Sequence, residues 1–454
     1  MSTPPTSPQS ATDRIASLRS AIPKEGLFAD KNWRLSPEPF PLSKKQVRTL
    51  EALGPVLHTF QKASNNLYHR SLKGSAPTWI AQYIDAGKPP DLLKHAHSNA
   101  LRHSTPRVIR PDLILTENEG FALTELDSVP GGIGLTAWLN QTFATTLGLE
   151  NIIGGPDGML HGFAGIFPNG ADIVVSQEAA DYRPEMDWLA NNLENTSSPN
   201  WQVHSAESYS PKPHNCLYRF FELFDLENIP FTEQAVALQE KDELCMTPPL
   251  KPAIEEKLWL ALLWSKPLEE LWRRELRDSN FQKLRDIIPY GWVVDPAPVP
   301  HHAVIPRLEI ADFSELGSLT QKERDLVLKI SGFSELAWGS RGVHIGFDLS
   351  QPEWQNAVDT ALHSINSNPY LLQEFKKGAR IQHPFYDDTS QSLQTLDARV
   401  RLCPYYFVHP PKDEDPSSKE SVHLGGVLAT IVPADKKKLH GMSDAILVPC
   451  ALAG

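Results

Sequence analysis

The chain has 454 residues, too many for one ordinary hydrophobic core, so two or three domains or one multi-lobed enzyme is expected. Hydrophobic residues at 41% and charged residues at 22% are ordinary for a globular protein. With 43 Lys and Arg against 55 Asp and Glu, a formal net charge of -12, the chain lacks the basic surplus of a general nucleic-acid binder, which must displace counterions from phosphates.

The four cysteines, Cys216, Cys245, Cys403 and Cys450, are far apart and form no C-x-x-C pair. A disulfide framework or a cysteine zinc site is not expected, and a reducing cytoplasm fits best. No apolar run approaches the roughly 20 residues of a membrane helix, so no membrane partner is expected. The opening MSTPPTSPQSATDR is polar and lacks the apolar stretch of a signal peptide.

Residues 1–40 are rich in Pro and Ser and predict a loosely ordered tail. A helix is expected from Ser43, an N-cap type, because Val47, Leu50, Leu53, Val56, Leu57 and Phe60 recur at helical spacing. RVIRPDLILT and FALTELDSV alternate polar and apolar residues around the turn ENEG, which predicts a β-hairpin from about Arg107 to Val129. PGG ends it, and a helix should run from about Ile133 to Leu147. These pieces form a lobe over 41–150.

A small α/β unit is expected over 151–235, from the strand ADIVVS, an amphipathic helix through Met186 and Leu189, and a strand near Trp201. Residues 254–286 are helical in pattern, with Trp259, Trp264 and Trp272 as core residues, inside a connector over 236–300. The last lobes, 301–454, return to α/β: the strand LVLKIS, a glycine-containing loop, HIGFD, a helix, PYLLQEF, and two long antiparallel strands around the charged loop PPKDEDPSSKE.

The hairpin carries the clearest chemistry. Residues two apart on a strand share a face, so Glu125 and Asp127 project together, and pairing can bring Asp112 beside them. Converging carboxylates with phosphate oxygens make a magnesium environment. Arg110 shares the face of Asp112 and suits a transferring phosphoryl group. A solvated charged strand face is the competing reading. The flanking PGGIG favours a ligand, since it opens a helix N-terminus to anions.

Further on, Lys329 interrupts the apolar strand VLKI and either snorkels or faces a cleft, where its charge suits a phosphate. The loop GSRGV follows, with Ser340, Arg341 and Gly342. Gln373 and Glu374 end an apolar strand and can offer donors and acceptors to an adenine edge, and Arg399 and Arg401 share a strand face. His95, His97 and the pair His301–His302 lack acidic or Cys partners nearby and are ordinary loop histidines. No Walker-type GxxxxGK and no GxSxG is present. Arg219, Glu222 and Asp225 lie in a segment that is either packed core or substrate cleft.

In order, LVLKIS, WGSRGV, LLQEF and TELDSVPGG resemble the phosphate lysine strand, glycine loop, adenine hinge and magnesium strand of ATP-grasp enzymes. The metal strand comes first here, which resembles the circularly permuted branch typified by glutathionylspermidine synthase. RPD at Arg110–Asp112, ELD at Glu125–Asp127, SRG at Ser340–Gly342 and AVIP match motifs of that branch. The resemblance covers somewhat over a third of the chain.

It implies a circularly permuted ATP-grasp fold with a preATP-grasp-like α/β unit, and ATP and Mg2+ as cofactors. Asp112, Glu125 and Asp127 would be metal ligands, and Arg110 the stabiliser of the transferring phosphate. Lys329, Ser340, Arg341, Gly342, His302 and Arg401 would bind phosphates, and Gln373 and Glu374 adenine. Asp127 replaces the usual Asn, and His302 replaces a lysine. The implied activity is a carboxylate–amine ligase acting through an acyl phosphate on a small or peptide-like substrate. An ATP-dependent kinase on the same scaffold and a non-catalytic nucleotide-binding regulator are the alternatives. The sequence does not fix the oligomeric state.

Overall fold

The computed structural model describes residues 10–24, 26, 33–194, 200–300, 303–337, 341–411, 417–436, 439 and 444–454. His301, His302 and Ser340 lie outside the described residues. The strands in chain order are β1 (Phe40–Leu42), β2 (Val108–Leu115), β3 (Phe121–Asp127), β4 (Asp172–Val175), β5 (Gln202–Ser205), β6 (Asn215–Phe220), β7 (Leu244–Thr247), β8 (Gly291–Val293), β9 (Leu326–Ile330), β10 (Val343–Ile345), β11 (Tyr370–Glu374), β12 (Ile381–Asp387), β13 (Ser392–His409), β14 (Ser421–Pro433) and β15 (Ile446–Leu452). They form three sheets, so the architecture is mixed α/β.

The largest sheet runs β1-β15-β14-β13-β2-β3, with β12 also paired to β13. It joins the expected hairpin to strands more than 250 residues later, because β2 pairs antiparallel with β13, Arg401 opposite Ile114. The expected 41–150 and 301–454 lobes therefore share one sheet. The second sheet, β10-β9-β11-β8, is antiparallel, and β8 reaches it from the expected connector. The third, β5-β4-β6-β7, is parallel throughout and includes β7, beyond residue 235.

Part of the expected tail is a helix, Ala11–Ala21, closed by a Ser10–Asp13 capping box. Ile15 and Leu18, three apart on one face, are buried, which outweighs the surrounding Pro and Ser. The helix from Ser43 runs over Lys44–Leu72, through Gly54 and Pro55. Proline removes one backbone donor in mid-helix. The Tyr406 hydroxyl of β13 donates to the Leu50 carbonyl beside that gap, at 2.7 Å, and Gly54 lets the ring lie against the helix. A Cβ at Gly54 would stand 2.5 Å from Tyr406 Cδ1. Trp259 and Trp272 are buried in the same core.

Lys251 fastens this helix to the approach of β2. It is fully buried, and its Nζ donates to Asn65 Oδ1 at 2.7 Å, to the Leu101 carbonyl and to Ser104 O. Burial pushes its pKa down to about 7.

Two expectations follow. Gly54→Ala gains helix propensity of about 1 kcal/mol, yet should lower stability by about 1–3 kcal/mol through overpacking on Tyr406; thermal unfolding as late as wild type would show that the contact is slack. For Lys251, the unfolded chain keeps its proton up to the ordinary value of 10.5. The unfolded state therefore binds more protons between about 7 and 10.5, and stability should rise with pH there, by about 2 kcal/mol from pH 7 to 9. Urea unfolding across that range should lose this rise in Lys251→Met.

Candidate functional site

Strand alternation builds one wall of the site. In the small antiparallel sheet, Leu326, Leu328, Ile330, Tyr370 and Leu372 pack with Trp354 in a separate core. The opposite face turns Val327, Lys329, Val343, Ile345 and Gln373 to a partly open cavity of about 960 Å³. The facing wall comes from the large sheet: Asp112 and Ile114 of β2, Thr124 and Glu125 of β3, and Arg399 and Arg401 of β13. Of the residues expected from sequence, Asp112, Glu125, Lys329, Gln373, Glu374 and Arg401 line this one cavity. Arg110, Asp127, Arg341 and Gly342 do not.

The hairpin register sets Asp112 opposite Glu125 and Arg110 opposite Asp127. A bulge follows, because Leu113 faces Leu123 and leaves Thr124 as the extra residue. Lys329 Nζ donates to the Thr124 carbonyl at 2.8 Å and to Gln373 Oε1 at 2.9 Å. Those partners are neutral, and burial holds the Lys329 pKa down to about 8.

Asp112, with a side chain 6% exposed, sits between two guanidiniums: Arg401 Nη1 at 2.9 Å from Oδ2 and Arg110 Nε at 3.1 Å from Oδ1. Burial alone raises its pKa, but Arg110 and Arg401 together bring it below the usual carboxylate value. Arg110 also holds Asp127 Oδ2 at 2.9 Å. Burial, with Glu125 adding to it, outweighs Arg110 and raises Asp127. Glu125, 38% exposed, pairs with Lys257 Nζ at 2.8 Å. Burial works against the charge of Lys257, but Glu125 outweighs it and raises the pKa.

Among the described residues no three His, Cys, Asp or Glu side chains gather as a metal-binding group. Magnesium arriving on phosphates needs only one or two carboxylates. Asp112 and Glu125, in register and on the same cavity wall, fit that need. Asp127 is outside the cavity lining, joined to Asp112 through Arg110: its Oδ1 accepts from Val129 N at 2.9 Å and its Oδ2 from Arg110.

The donors around the cavity fit an anionic ligand. Among the described residues nothing accepts from the buried Gln373 Nε2, Arg399 Nε or Arg401 Nε, and such groups are costly unless a ligand accepts from them. The strand backbone at Gln373 is already paired on both sides, by β9 and β8, and Glu374 N donates to Tyr290 O. Gln373 therefore faces the cavity through its side chain. Glu374 carries Arg307 at 2.6 Å and Lys376 at 2.9 Å, which outweigh burial and lower its pKa.

PGG is followed by the expected helix, which starts at Ile133. Gly132, at φ +89°, meets the Tyr405 hydroxyl, where a Cβ would lie at 2.4 Å. At the start of the following helix, Gly134 N donates to the Glu185 carboxylate at 3.2 Å. Arg219 is fully buried and paired with Glu255. His95 and His97 bond Gln239 and Tyr68.

Sequence reasoning missed Lys257, Lys376 and the apolar pair Val343 and Ile345. The pair alternates around His344, a period-2 signal. Lys257 left only the weak trace of a lone cation ahead of the apolar run LWLALLW.

Asp112→Asn would leave two partly buried guanidiniums short of a counter-charge and should cost about 3 kcal/mol of stability. Glu125→Gln, at a more exposed pair, should cost under about 1 kcal/mol. Denaturant unfolding of both variants checks the difference, and equal losses would contradict the geometry.

No family profile and no curated protein matches the chain. Among solved structures, it is similar to a glutathione synthetase-like effector from Globodera pallida in its apo form, at 12% identity and a TM-score of 0.59, over 97% of this chain and 96% of that one. A candidate gamma-glutamylcysteine synthetase from Methylobacillus flagellatus aligns at 11% identity and a TM-score of 0.37, over 87% of this chain and 85% of that one, too distant to bear on the argument. Among the described residues no helix is long and apolar enough to cross a membrane. Along nearly its whole length, the chain has a mixed α/β fold like that of the glutathione synthetase-like effector.

Proposed function

We propose that the chain is an ATP- and magnesium-dependent ligase of circularly permuted ATP-grasp type, joining a carboxylate to an amine. One observation carries the reading: Asp112, Glu125, Lys329, Gln373 and Arg401, scattered over the sequence, line a single cavity, and among the described residues nothing accepts from the buried Gln373 Nε2, Arg399 Nε or Arg401 Nε there. The likeness to a glutathione synthetase-like effector supports it at the level of fold. The parallel sheet of β4–β7 corresponds to the preATP-grasp-like unit.

In this reading, Val327, Val343 and Ile345 cover the faces of the adenine, and the Gln373 amide meets its edge. Lys329 and Arg401 hold phosphate oxygens, with Arg399 beside them. Arg110 acts from behind, fixing Asp112 and Asp127. Magnesium, held by Asp112 and Glu125, would offset the charge that builds up on the transferring phosphoryl group. A substrate carboxylate attacks the γ-phosphorus, ADP leaves, and the acyl phosphate is taken by an amine, with loss of phosphate. The acid and amine are small or peptide-like. Arg341 and Gly342 would reach phosphate only from beyond the cavity lining, and the phosphate roles of His302 and Ser340 rest on the sequence motif alone.

Mg·ATP should raise the thermal midpoint of the wild type, and Lys329→Ala should lose most of that rise. Phosphate release that needs both an acid and an amine marks the ligase. A phosphorylated product without free phosphate would point to the kinase alternative, and binding without turnover to the regulator. No midpoint shift at millimolar Mg·ATP would remove the reading altogether.

A further inference from the structure

The parallel sheet carries a pair of reactive groups that the cavity does not use. Cys216 is the second residue of β6 and Cys245 the second of β7. The register sets them directly opposite each other. Residues paired in this way turn to the same face of the sheet, and neighbouring strands lie about 4.8 Å apart. A disulfide needs about 4.4–6.8 Å between its two α-carbons. The backbones of β6 and β7 therefore already stand at bridging distance, and neither strand has to move.

All four cysteines are free thiols, but they differ in access. Cys245 is exposed and Cys216 half-buried, whereas Cys403 and Cys450 are buried. The first pair also has a built-in asymmetry. Contact with the Cys216 thiol, helped by the charge of Arg107, outweighs burial and brings Cys245 below the usual thiol value. The same contact, with burial, raises Cys216. Arg107 is held in place on this side of the sheet. Its backbone N–H donates to Thr247 Oγ1 of β7 at 2.9 Å, its Nη1 donates to the Ile166 carbonyl at 2.6 Å, and its guanidinium lies 5.0 Å over the Phe167 ring. So the accessible sulfur is the nucleophile, and its strand neighbour is a thiol kept in reserve.

We propose that Cys216 and Cys245 are a paired modification site, closed to a disulfide by exchange with a low-molecular-weight disulfide. The Cys245 thiolate attacks one sulfur of that disulfide and expels one small thiolate, leaving a mixed disulfide on Cys245. Cys216 gives up its proton and attacks Cys245 Sγ, and the second small thiolate leaves. The two cysteines are oxidised, the small disulfide is reduced to two thiols, and the two protons end on those thiols. The bridge closes a loop of about 30 residues. It cross-links the sheet at β7, the strand that leads to Lys251 and to the triplet Glu255, Glu256 and Lys257. The site is independent of the ligand that the cavity takes.

The test treats the native full chain with bis(2-hydroxyethyl) disulfide and follows intact mass and peptide maps. Wild type should end lighter by two hydrogen atoms, with one proteolytic product joining Cys216 to Cys245 and with Cys403 and Cys450 still reduced. Cys216→Ser should stop at the mixed disulfide on Cys245, and Cys245→Ser should lose the fast reaction. Wild type that also stops at a mixed disulfide would overturn the pairing. So would a bridge formed only between two chains. Loss of all four thiols together would show that reaction follows unfolding and would overturn the site as well.

Discussion

Asp112 between Arg110 and Arg401 is the interaction on which the site is built. One arginine comes from the same strand and the other from β13, almost 300 residues later. Asp112 is buried and both arginines are partly so, and a buried charge persists only while paired. The Asp112–Arg401 pair therefore ties the register of β2 to β13, and the Arg110–Asp127 pair ties it to β3. A slip of one residue would turn Asp112 to the other face, away from Arg401, and Arg110 away from Asp127. Everything else at the cavity is measured from this lock: Glu125 opposite Asp112, the bulged Thr124 beside it, and Lys329 on the Thr124 carbonyl.

That lock also explains which parts of the site could be read in the sequence. Hairpin chemistry is local. Alternation in RPDLIL and TELD, with a short turn, places Asp112 against Glu125 from two segments about a dozen residues apart. Lys329 announced itself by breaking an apolar strand, and Gln373 by ending one. The bulge had no such signal. Strict alternation would set Leu123 on the same face as Glu125, yet Leu123 is buried in the core and Glu125 faces the cavity. The extra residue, Thr124, separates the two roles.

Long-range pairing was illegible for a different reason. Nothing in β13 specifies β2 rather than another apolar strand, so the sharing of one sheet between the two ends of the chain left no periodic trace. The helix Ala11–Ala21 was hidden by composition, since only Ile15 and Leu18 mark its buried side. Cys216 and Cys245, distant in sequence, stand opposite each other on β6 and β7, and both are free thiols. Each case is a contact made by topology between segments whose local patterns are unremarkable.

The three consecutive charges Glu255, Glu256 and Lys257 show how the sheets are held to one site. Arg219, the partner of Glu255, belongs to the parallel sheet. Ser331, which donates to Glu256, follows the lysine strand. Glu125, the partner of Lys257, lies on the hairpin. One turn of chain thus touches all three sheets through side chains of fixed length, and the relative placement of the cavity walls follows from it. Ordering these groups costs conformational entropy during folding. The same ordering means that donors such as Gln373 Nε2 and Arg401 Nε stand ready without further rearrangement. Fixed dipoles and charges of this kind act on an anion without first having to reorganise, which is how a protein environment can stabilise a phosphate better than water does.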